Sequence, residues 1–250
     1  MLCANINGGD SCSGGAAPRP GAPKRKRRLA GALVAVALVL AAATVFFVSR
    51  SGEPPPEIGD IIEFGGYNWL VLDVQSDRAL IITEDVIGQR TYHGRWVSVT
   101  WEASDMRRYL NGDFYNSFIA EERQRIAQTE VINNDNPWFG TPGGNDTVDK
   151  IFLLSLDELV KYFGDSGQLA NRNHPDNTSG GFHDRYSNIR IAYILCDALL
   201  GWSSSNWWLR SPGHYDFNAA VVGSDGRVSV FGGLVLFNSV GVRPALWLYF

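Results

Sequence analysis

The chain has 250 residues, and its formal net charge is −4. This length permits one large domain or two small ones. Residues 1–56 hold 7 Lys and Arg against 2 Asp and Glu, so residues 57–250 hold 22 − 7 = 15 against 26 − 2 = 24. A formal charge of −9 on the larger part excludes a nucleic-acid partner, because such an interface needs a positive footprint.

The N-terminal part predicts a membrane anchor. Residues 24–28 are all Lys or Arg, and the apolar run 29–48 carries no charge. A helix of about 20 residues at about 1.5 Å per residue spans the hydrocarbon core, and the basic flank stays in the cytoplasm. The alternative is a cleaved signal peptide with a site at Ala41-Ala42-Ala43, although the apolar run continues past that site to Val48.

This pattern predicts a single-pass protein of the cell membrane with a cytoplasmic N-terminus and an extracellular C-terminal domain. The Gly-, Ser- and Pro-rich start indicates disorder, and Pro54-Pro55-Pro56 indicate a stiff stalk. The predicted segments are a disordered basic tail at 1–28, the anchor at 29–48, the stalk at 49–57 and the domain at 58–250.

The first half of the domain predicts strands followed by short helices. Ser104 or Asp105 is a typical N-cap, and Asn111-Gly112 is expected to end that helix. Ser155 and Glu158 form a capping box for a later helix. The predicted strands are 58–64, 68–74, 79–84 and 151–154, and the predicted helices are 104–110, 113–119, 121–127 and 155–163.

Long polar loops and then short strands are predicted in the second half. Loops as long as 133–149 and 164–184 are usually functional or disordered. Asp225-Gly226 is a strong hairpin signal. An economical arrangement pairs the first and last strands, with 242–248 lying centrally beside 61–64 or 69–74. The predicted C-terminal strands are 207–210, 219–222, 228–231, 234–236 and 242–248.

No pattern predicts catalysis. Cys196 is the one cysteine outside the tail, which excludes an intradomain disulfide, and its apolar surroundings predict an inert thiol. No Gly-x-Ser-x-Gly elbow is present, and the four His lack metal-ligand spacing. The sequence therefore predicts no enzyme and no cofactor. Calcium is the alternative, on oxygen ligands in the loop at Asn133, Asn134, Asp135, Asp146 and Asp149, whose spacing does not match an EF-hand.

Two rigid blocks, residues 207–213 and 241–247, flank an interval, 214–240, that lacks Lys, Glu, Gln, Met and Trp. Arg210 and Arg243 in these blocks are predicted to be buried ion-pair anchors. The interval has more large hydrophobic residues than short strands can bury, so some should be exposed as a binding surface. The alternative is a tightly packed sandwich. A small or apolar frame recurs at Ala219, Ala220, Val222, Asp225-Gly226, Val228, Gly232 and Val235.

The block Trp-Trp-Leu-Arg-Ser-Pro-Gly at 207–213, followed by Gly-Val-Arg-Pro-Ala-Leu-Trp at 241–247, resembles the signature of a domain-of-unknown-function family in bacterial surface and phage-associated proteins. Segments 106–114 and 149–155 match it too, and the resemblance covers roughly 57–250. The family looks like a branch of the C-type lectin fold, akin to the formylglycine-generating enzyme and to variable proteins of diversity-generating retroelements. The resemblance implies paired terminal strands, early helices and a loop-rich ligand face.

The resemblance also implies a diversified surface. In retroelement variable proteins, randomised adenines in Asn-type codons can yield Tyr, His, Asp, Ser, Gly, Arg, Phe, Leu or Val but never Lys, Glu, Gln, Met or Trp. The non-frame residues of 214–240 all belong to the reachable set. The enzyme's copper-binding cysteine pair is not matched by Cys196 alone, and the sugar-binding motifs of true C-type lectins are absent, so neither activity is implied.

The sequence thus predicts an α+β, C-type-lectin-like domain in a membrane-anchored receptor or adhesin of the cell surface. An extracellular protein is the expected ligand, because the surface is broad rather than pocketed, with a glycan as the alternative. A carbohydrate-binding module and a formylglycine-generating-type enzyme with a lost or replaced metal are the alternative functions. The predicted ligand-binding residues are His214, Tyr215, Asp216, Phe217, Asn218, Val221, Gly223, Ser224, Arg227, Ser229, Phe231, Leu234, Leu236, Phe237 and Asn238.

Overall fold

The structure, a computed structural model, describes residues 54–164, 184–197 and 201–250. Strands dominate these ranges and helices are few and short, so the predicted α+β class is confirmed. The predicted tail, the apolar run 29–48, residues 49–53 of the stalk and most of the loop 164–184 lie outside these ranges. None of the helices in the ranges that are described has the length and apolarity needed to cross a membrane.

The described elements alternate between two larger sheets, two small hairpin sheets and short helices. The strands are β1 Ile61–Phe64, β2 Tyr67–Val74, β3 Arg78–Thr83, β4 Gly88–Gln89, β5 Thr129–Val131, β6 Thr147–Asp149, β7 Ala192–Asp197, β8 Gly201–Ser205, β9 Trp207–Pro212, β10 Asn218–Val222, β11 Val228–Leu234, β12 Gly241–Val242 and β13 Ala245–Tyr249. The helices are α1 Asp105–Tyr109, α2 Tyr115–Ser117, α3 Ala120–Arg125, α4 Leu156–Phe163 and α5 Ser187–Arg190.

The first sheet has the order β1-β2-β3-β13, and all its pairs are antiparallel. The last strand therefore pairs with β3, and the prediction that it lies beside 61–64 or 69–74 is wrong. Its other edge is nevertheless covered, because Leu248 and Ala245 form bridges with Ile126 and Phe152. Partners on both edges account for the nearly complete burial of β13.

The second sheet has the order β11-β10-β9-β12-β4. The predicted strand 242–248 is wrong as a single element, because β12 belongs to this sheet and β13 to the first. The chain passes from one sheet to the other at Arg243-Pro244, where the Pro nitrogen has no hydrogen to donate to a ladder. The amide of Thr83 donates instead to the Pro244 carbonyl at 3.0 Å, which joins the crossing to β3.

The hairpin of β10 and β11 places the interval 214–240 at the edge of the second sheet. Its turn is at Asp225-Gly226, as predicted, and Gly226 has a φ of 77°, in the region that favours glycine. Strand β11 continues to Leu234, and the Phe237 amide then donates to the Leu234 carbonyl at 2.9 Å in a turn. The separate strand predicted at 234–236 is therefore wrong.

Capping residues begin the helices where the sequence predicts. The Ser104 side chain accepts a bond from the Arg107 amide, and Ser155 forms the capping box with Glu158 at the start of α4. Asn111-Gly112, however, do not end the first helix, since it continues as a π-helical turn, Leu110–Phe114, into α2. The Asn111 side chain accepts a bond from the Lys150 amide at 2.7 Å and donates to Ile151 O at 2.8 Å, so it fixes a distant segment instead.

The central strand β9 is buried along its whole length. Its two adjacent Trp side chains point to opposite faces, as expected of a strand. The Nε1 of Trp207 donates to Arg190 O at 3.0 Å, and the Nε1 of Trp208 donates to Arg90 O at 2.9 Å. This buried strand is the support on which the hairpin of β10 and β11 is built.

Candidate ligand-binding surface

Most of the predicted frame of the interval 214–240 is buried, although Asp225 is exposed and Gly232 is partly exposed. Frame residues Ala219, Ala220, Val222, Val228 and Val235 are buried. Two of the fifteen predicted ligand-binding residues, Asn218 and Val221, are also buried, at 5% and 8% exposure. The other thirteen are exposed or partly exposed: His214, Tyr215, Asp216, Phe217, Gly223, Ser224, Arg227, Ser229, Phe231, Leu234, Leu236, Phe237 and Asn238.

Several rings that are exposed or partly exposed form one continuous group, which we call the aromatic cluster. Tyr215 and Phe217 stack with their ring centroids 5.2 Å apart, and His214 stacks on Phe231 at 4.8 Å. Two members lie outside the predicted interval and were missed by the sequence analysis. Phe139 lies 4.0 Å from His214, and Trp96 meets the edge of Phe217 at 5.8 Å. The cluster comprises Trp96, Phe139, His214, Tyr215, Phe217 and Phe231.

The backbone beneath these rings is held by hydrogen bonds from within the domain. Every carbonyl from His214 to Asn218 accepts such a bond, so little of this backbone remains to be satisfied by a ligand. The five donors are Thr141 Oγ1 to His214 O at 2.7 Å, Asn218 N to Tyr215 O at 2.9 Å, Val99 N to Asp216 O at 2.9 Å, Val235 N to Phe217 O at 3.1 Å and Gly213 N to Asn218 O at 2.8 Å.

A shallow concavity of about 240 Å³ lies between the 223–227 turn and residues 237–240. Val221 and Gly233 line it, so the burial of Val221 places it in the wall rather than on a protruding surface. Arg227 reaches it with its Nε 2.9 Å from Asp225 Oδ2, in a pair that is about half exposed. Phe237, 47% exposed, adds an aromatic side. The predicted residues therefore divide between the aromatic cluster, this concavity and the exposed turns near them.

The predicted buried ion pair of Arg210 is confirmed. The side chain of Arg210, 2% exposed, pairs with the Glu158 carboxylate, which also completes the capping box of α4. Its other donors reach Leu153 O at 2.8 Å and Ile132 O at 2.9 Å. Arg210 thus joins β9 to the start of α4 and to the loop after β5.

Arg243 does not have the ion pair that the sequence predicts. Its Nε donates to Thr83 O at 2.8 Å and its Nη2 to Glu84 O at 3.0 Å. The guanidinium also lies 5.0 Å from the Trp207 ring centroid, in a cation–π contact. Burial lowers the pKa of Arg243 to about 10, although Asp85 and Glu84 oppose this shift. Backbone carbonyls and a ring therefore take the place of the predicted carboxylate.

The oxygen-rich loop that suggested calcium uses its carboxylates internally. Asp146 Oδ1 accepts a bond from the Asn133 amide at 2.8 Å, and Asp135 Oδ1 accepts one from the Gly143 amide at 3.0 Å. Asp149 accepts one from Trp101 Nε1 at 2.8 Å. Across 54–164, 184–197 and 201–250, no three His, Cys, Asp or Glu form a group that could hold a metal ion. The sequence has another oxygen-rich turn, His174-Pro175-Asp176-Asn177, but this turn and the Cys196 side chain lie outside what is described.

All eight tryptophans lie in the described part of the chain, and two of them are exposed. Trp96 is 66% exposed and Trp202 is 59% exposed, whereas the others are buried. The only sequence signal for Trp96 is its position in Gly94–Ser98, which has no strand or helix periodicity. Phe139, within the predicted loop 133–149, has no local signal at all.

Residues 76–250 match a protein family that is described as a domain of unknown function, DUF6273. No curated protein and no solved structure matches the chain. The matched range includes all fifteen predicted ligand-binding residues, as well as Trp96 and Phe139.

Proposed function

The chain belongs to the DUF6273 family, and we propose that it is a membrane-anchored receptor or adhesin that binds an extracellular ligand through residues 214–240. The observation that carries the proposal is the division of this interval into a buried frame and exposed side chains. Tyr215 and Phe237 are 48% and 47% exposed, and exposed rings of this kind are typical anchors of protein interfaces. An extracellular protein is the proposed ligand, because the rings form a broad surface beside a shallow concavity.

The proposal includes a C-type-lectin-like fold and diversification of the interval by a retroelement. Substitutions at exposed positions usually change stability by no more than about 0.5 kcal/mol, whereas changes in a packed core cost far more. The thirteen positions, of which seven are exposed and six are partly exposed, therefore suit a segment whose residues are exchanged while the buried part of the frame is kept. The residue types of the interval, which all belong to the reachable set or to the frame, support the same interpretation.

A display experiment tests whether the exposed positions of the interval accept substitutions that its buried frame does not. The full chain is produced on the cell surface with a C-terminal tag, and two libraries randomise either the thirteen exposed positions or the buried frame positions Ala219, Ala220, Val222, Val228 and Val235. We expect most members of the first library, and few of the second, to reach the surface folded. Equal losses in both libraries would contradict the proposal.

The proposed topology requires residues 29–48 to remain as an anchor, with the N-terminus in the cytoplasm. Protease added to intact cells should digest the domain at 58–250 and leave an N-terminal tag protected. Alkaline carbonate should fail to release the chain from membranes. A shortened protein released into the medium would instead indicate a cleaved signal peptide.

Carbohydrate binding is the second candidate, and the exposure of Trp96 favours it. Trp96 is 66% exposed beside Phe217, and a flat exposed ring is the kind of platform on which a sugar can stack. A glycan array probed with the chain separates the candidates. Strong, selective binding to one sugar that is lost in Trp96→Ala would replace the protein ligand with a glycan.

A further inference from the structure

The aromatic cluster extends beyond the interval that the sequence marks as variable. Phe139 lies beside the stacked pair of His214, at 4.0 Å, and Phe231, at 6.0 Å, so it is part of the same group of rings. Trp96 contacts Phe217 and exposes two thirds of its surface. A ligand that covers the exposed rings of the interval would therefore also meet these two.

Phe139 is held in this position by the buried side chain of Asn136, which is 1% exposed. The Nδ2 of Asn136 donates to Pro212 O at 2.8 Å and to Val230 O at 3.0 Å, at the end of β9 and within β11. Its Oδ1 accepts bonds from the amides of Trp138, at 2.9 Å, and Phe139, at 3.2 Å. One amide group therefore connects the loop that carries Phe139 to both strands beside the cluster.

Trp96 is carried by a loop whose two ends are joined to the same interval. The amide of His93 donates to Val235 O at 3.0 Å, and the amide of Val99 donates to Asp216 O at 2.9 Å. Near the start of the loop, the Gly94 amide donates to Asp105 Oδ2 at 2.7 Å. These bonds set the position of Trp96 before a ligand arrives, which reduces the entropic cost of binding.

The chemistry of this surface favours an apolar contact. Because the carbonyls from His214 to Asn218 are all satisfied internally, this segment offers a ligand its rings and the exposed carboxylate of Asp216. Residues 57–250 hold 15 basic against 24 acidic residues, so a basic protein partner complements the net charge of the domain as a whole.

We infer that Trp96 and Phe139 contact the ligand and form a constant part of the surface, and that Asn136 positions Phe139. The ligand is a basic protein partner that places an aromatic or aliphatic side chain against these rings. This inference rests on the proposed function. It divides the site into a fixed part, from residues 96 and 139, and a part from 214–240 that could vary.

The test uses a random dodecapeptide library on phage, panned against the full chain in lipid nanodiscs. We expect selected peptides to carry a net positive charge and at least one aromatic or large aliphatic residue. Trp96→Ala and Phe139→Ala should each raise the Kd of these peptides by about tenfold or more, as for residues at the centre of an interface. Trp202→Ala is the matched control, because it removes another exposed Trp, and its Kd should be unchanged.

The role of Asn136 is tested by a double substitution. If Asn136 acts on binding through Phe139, then Asn136→Ala should weaken binding in the natural chain but have no further effect on Kd in a Phe139→Ala background. Independent, additive losses would overturn the positioning role, because a merely structural effect would persist without the ring.

The outcomes distinguish the inference from the proposed function. One outcome would overturn the inference and leave the proposed function standing. In that outcome, Tyr215→Ala changes the Kd of the selected peptides, whereas Trp96→Ala changes it no more than the control Trp202→Ala does. Selected peptides that are acidic or lack apolar residues would overturn the assigned ligand class. Absence of any peptide or glycan that binds the chain would overturn both.

Discussion

Replacing Arg210 with Leu should be far more damaging than replacing the exposed Arg227 with Leu. Removing one partner of a buried ion pair costs about 3–5 kcal/mol, because the other charge loses its compensation. The Glu158 side chain is 28% exposed, so water compensates in part and the lower end of that range applies. Carbonyls of Leu153 and Ile132 also lose charged donors, at about 1–3 kcal/mol each if they stay dry. With about 3 kcal/mol for the ion pair and at least about 1 kcal/mol for each carbonyl, we expect a net loss of about 5 kcal/mol.

Urea-induced unfolding followed by tryptophan fluorescence measures this loss, since all eight Trp lie in the domain. Arg227→Leu is the control, because the pair with Asp225 is 2.9 Å long but about half exposed on both sides. An exposed pair of this kind contributes at most about 1 kcal/mol. Losses of the same size for both variants would refute the reasoning that burial, rather than the presence of an ion pair, sets the cost.

Two further predictions use the same assay. The φ of Gly226 is 77°, and a Cβ there would overlap the backbone of α5. Gly226→Ala should therefore destabilise by about 2 kcal/mol or more. Gly223→Ala should change the midpoint little, because the only short contact of its Cβ would be with the exposed Asp225 side chain, at 2.9 Å. Equal midpoints would contradict the division into frame and variable positions. Burial, together with Arg95 and Arg108, lowers the pKa of His93. The unfolded chain then binds the proton more readily, so the free energy of unfolding should fall as the pH drops below about 6.5. His93→Gln should flatten this dependence, and an unchanged slope would show that other groups cause it.

Features set by short-range chemistry could be predicted from the sequence. The capping box of Ser155 and Glu158 lies within one helical turn, and the Asp225-Gly226 turn needs only a glycine at a positive φ. The same holds for β9, since a strand with large apolar residues on both faces must be buried on both. In each case the residues that decide the structure are neighbours in the chain.

Features set by long-range pairing could not be predicted. Nothing near Ala245 says that β13 pairs with β3 rather than with β1 or β2, because all three strands carry apolar residues. Arg243 illustrates the same difficulty, since its carbonyl partner at Thr83 is 160 residues away. The sequence predicts that a buried guanidinium needs acceptors, but not which acceptors the topology supplies.

Only part of the proposed ligand-binding surface could be predicted from the sequence, for the same reason. Its interval could be located because composition changes at 214 and at 240 within a continuous stretch. The loop of Phe139 joins this surface through contacts such as Thr141 Oγ1 to His214 O, which span 73 residues. Trp96 joins it through the ring of Phe217. Composition within an interval carries no information about which distant loops pack against it.

Burial also limits what diversification could change within 214–240. Asn218 and Val221 belong to the reachable residue set but are 5% and 8% exposed. A bulky replacement at either position would overpack the sheet between β9 and β11, at a cost of about 1–3 kcal/mol, whereas one at Tyr215 or Arg227 would extend into solvent. If the interval is diversified, sister chains that fold should therefore vary freely at the thirteen exposed positions and keep small or similar residues at Asn218 and Val221. Unrestricted variation at Asn218 and Val221 would contradict this argument, because it would show that the sheet accommodates bulky side chains at buried positions.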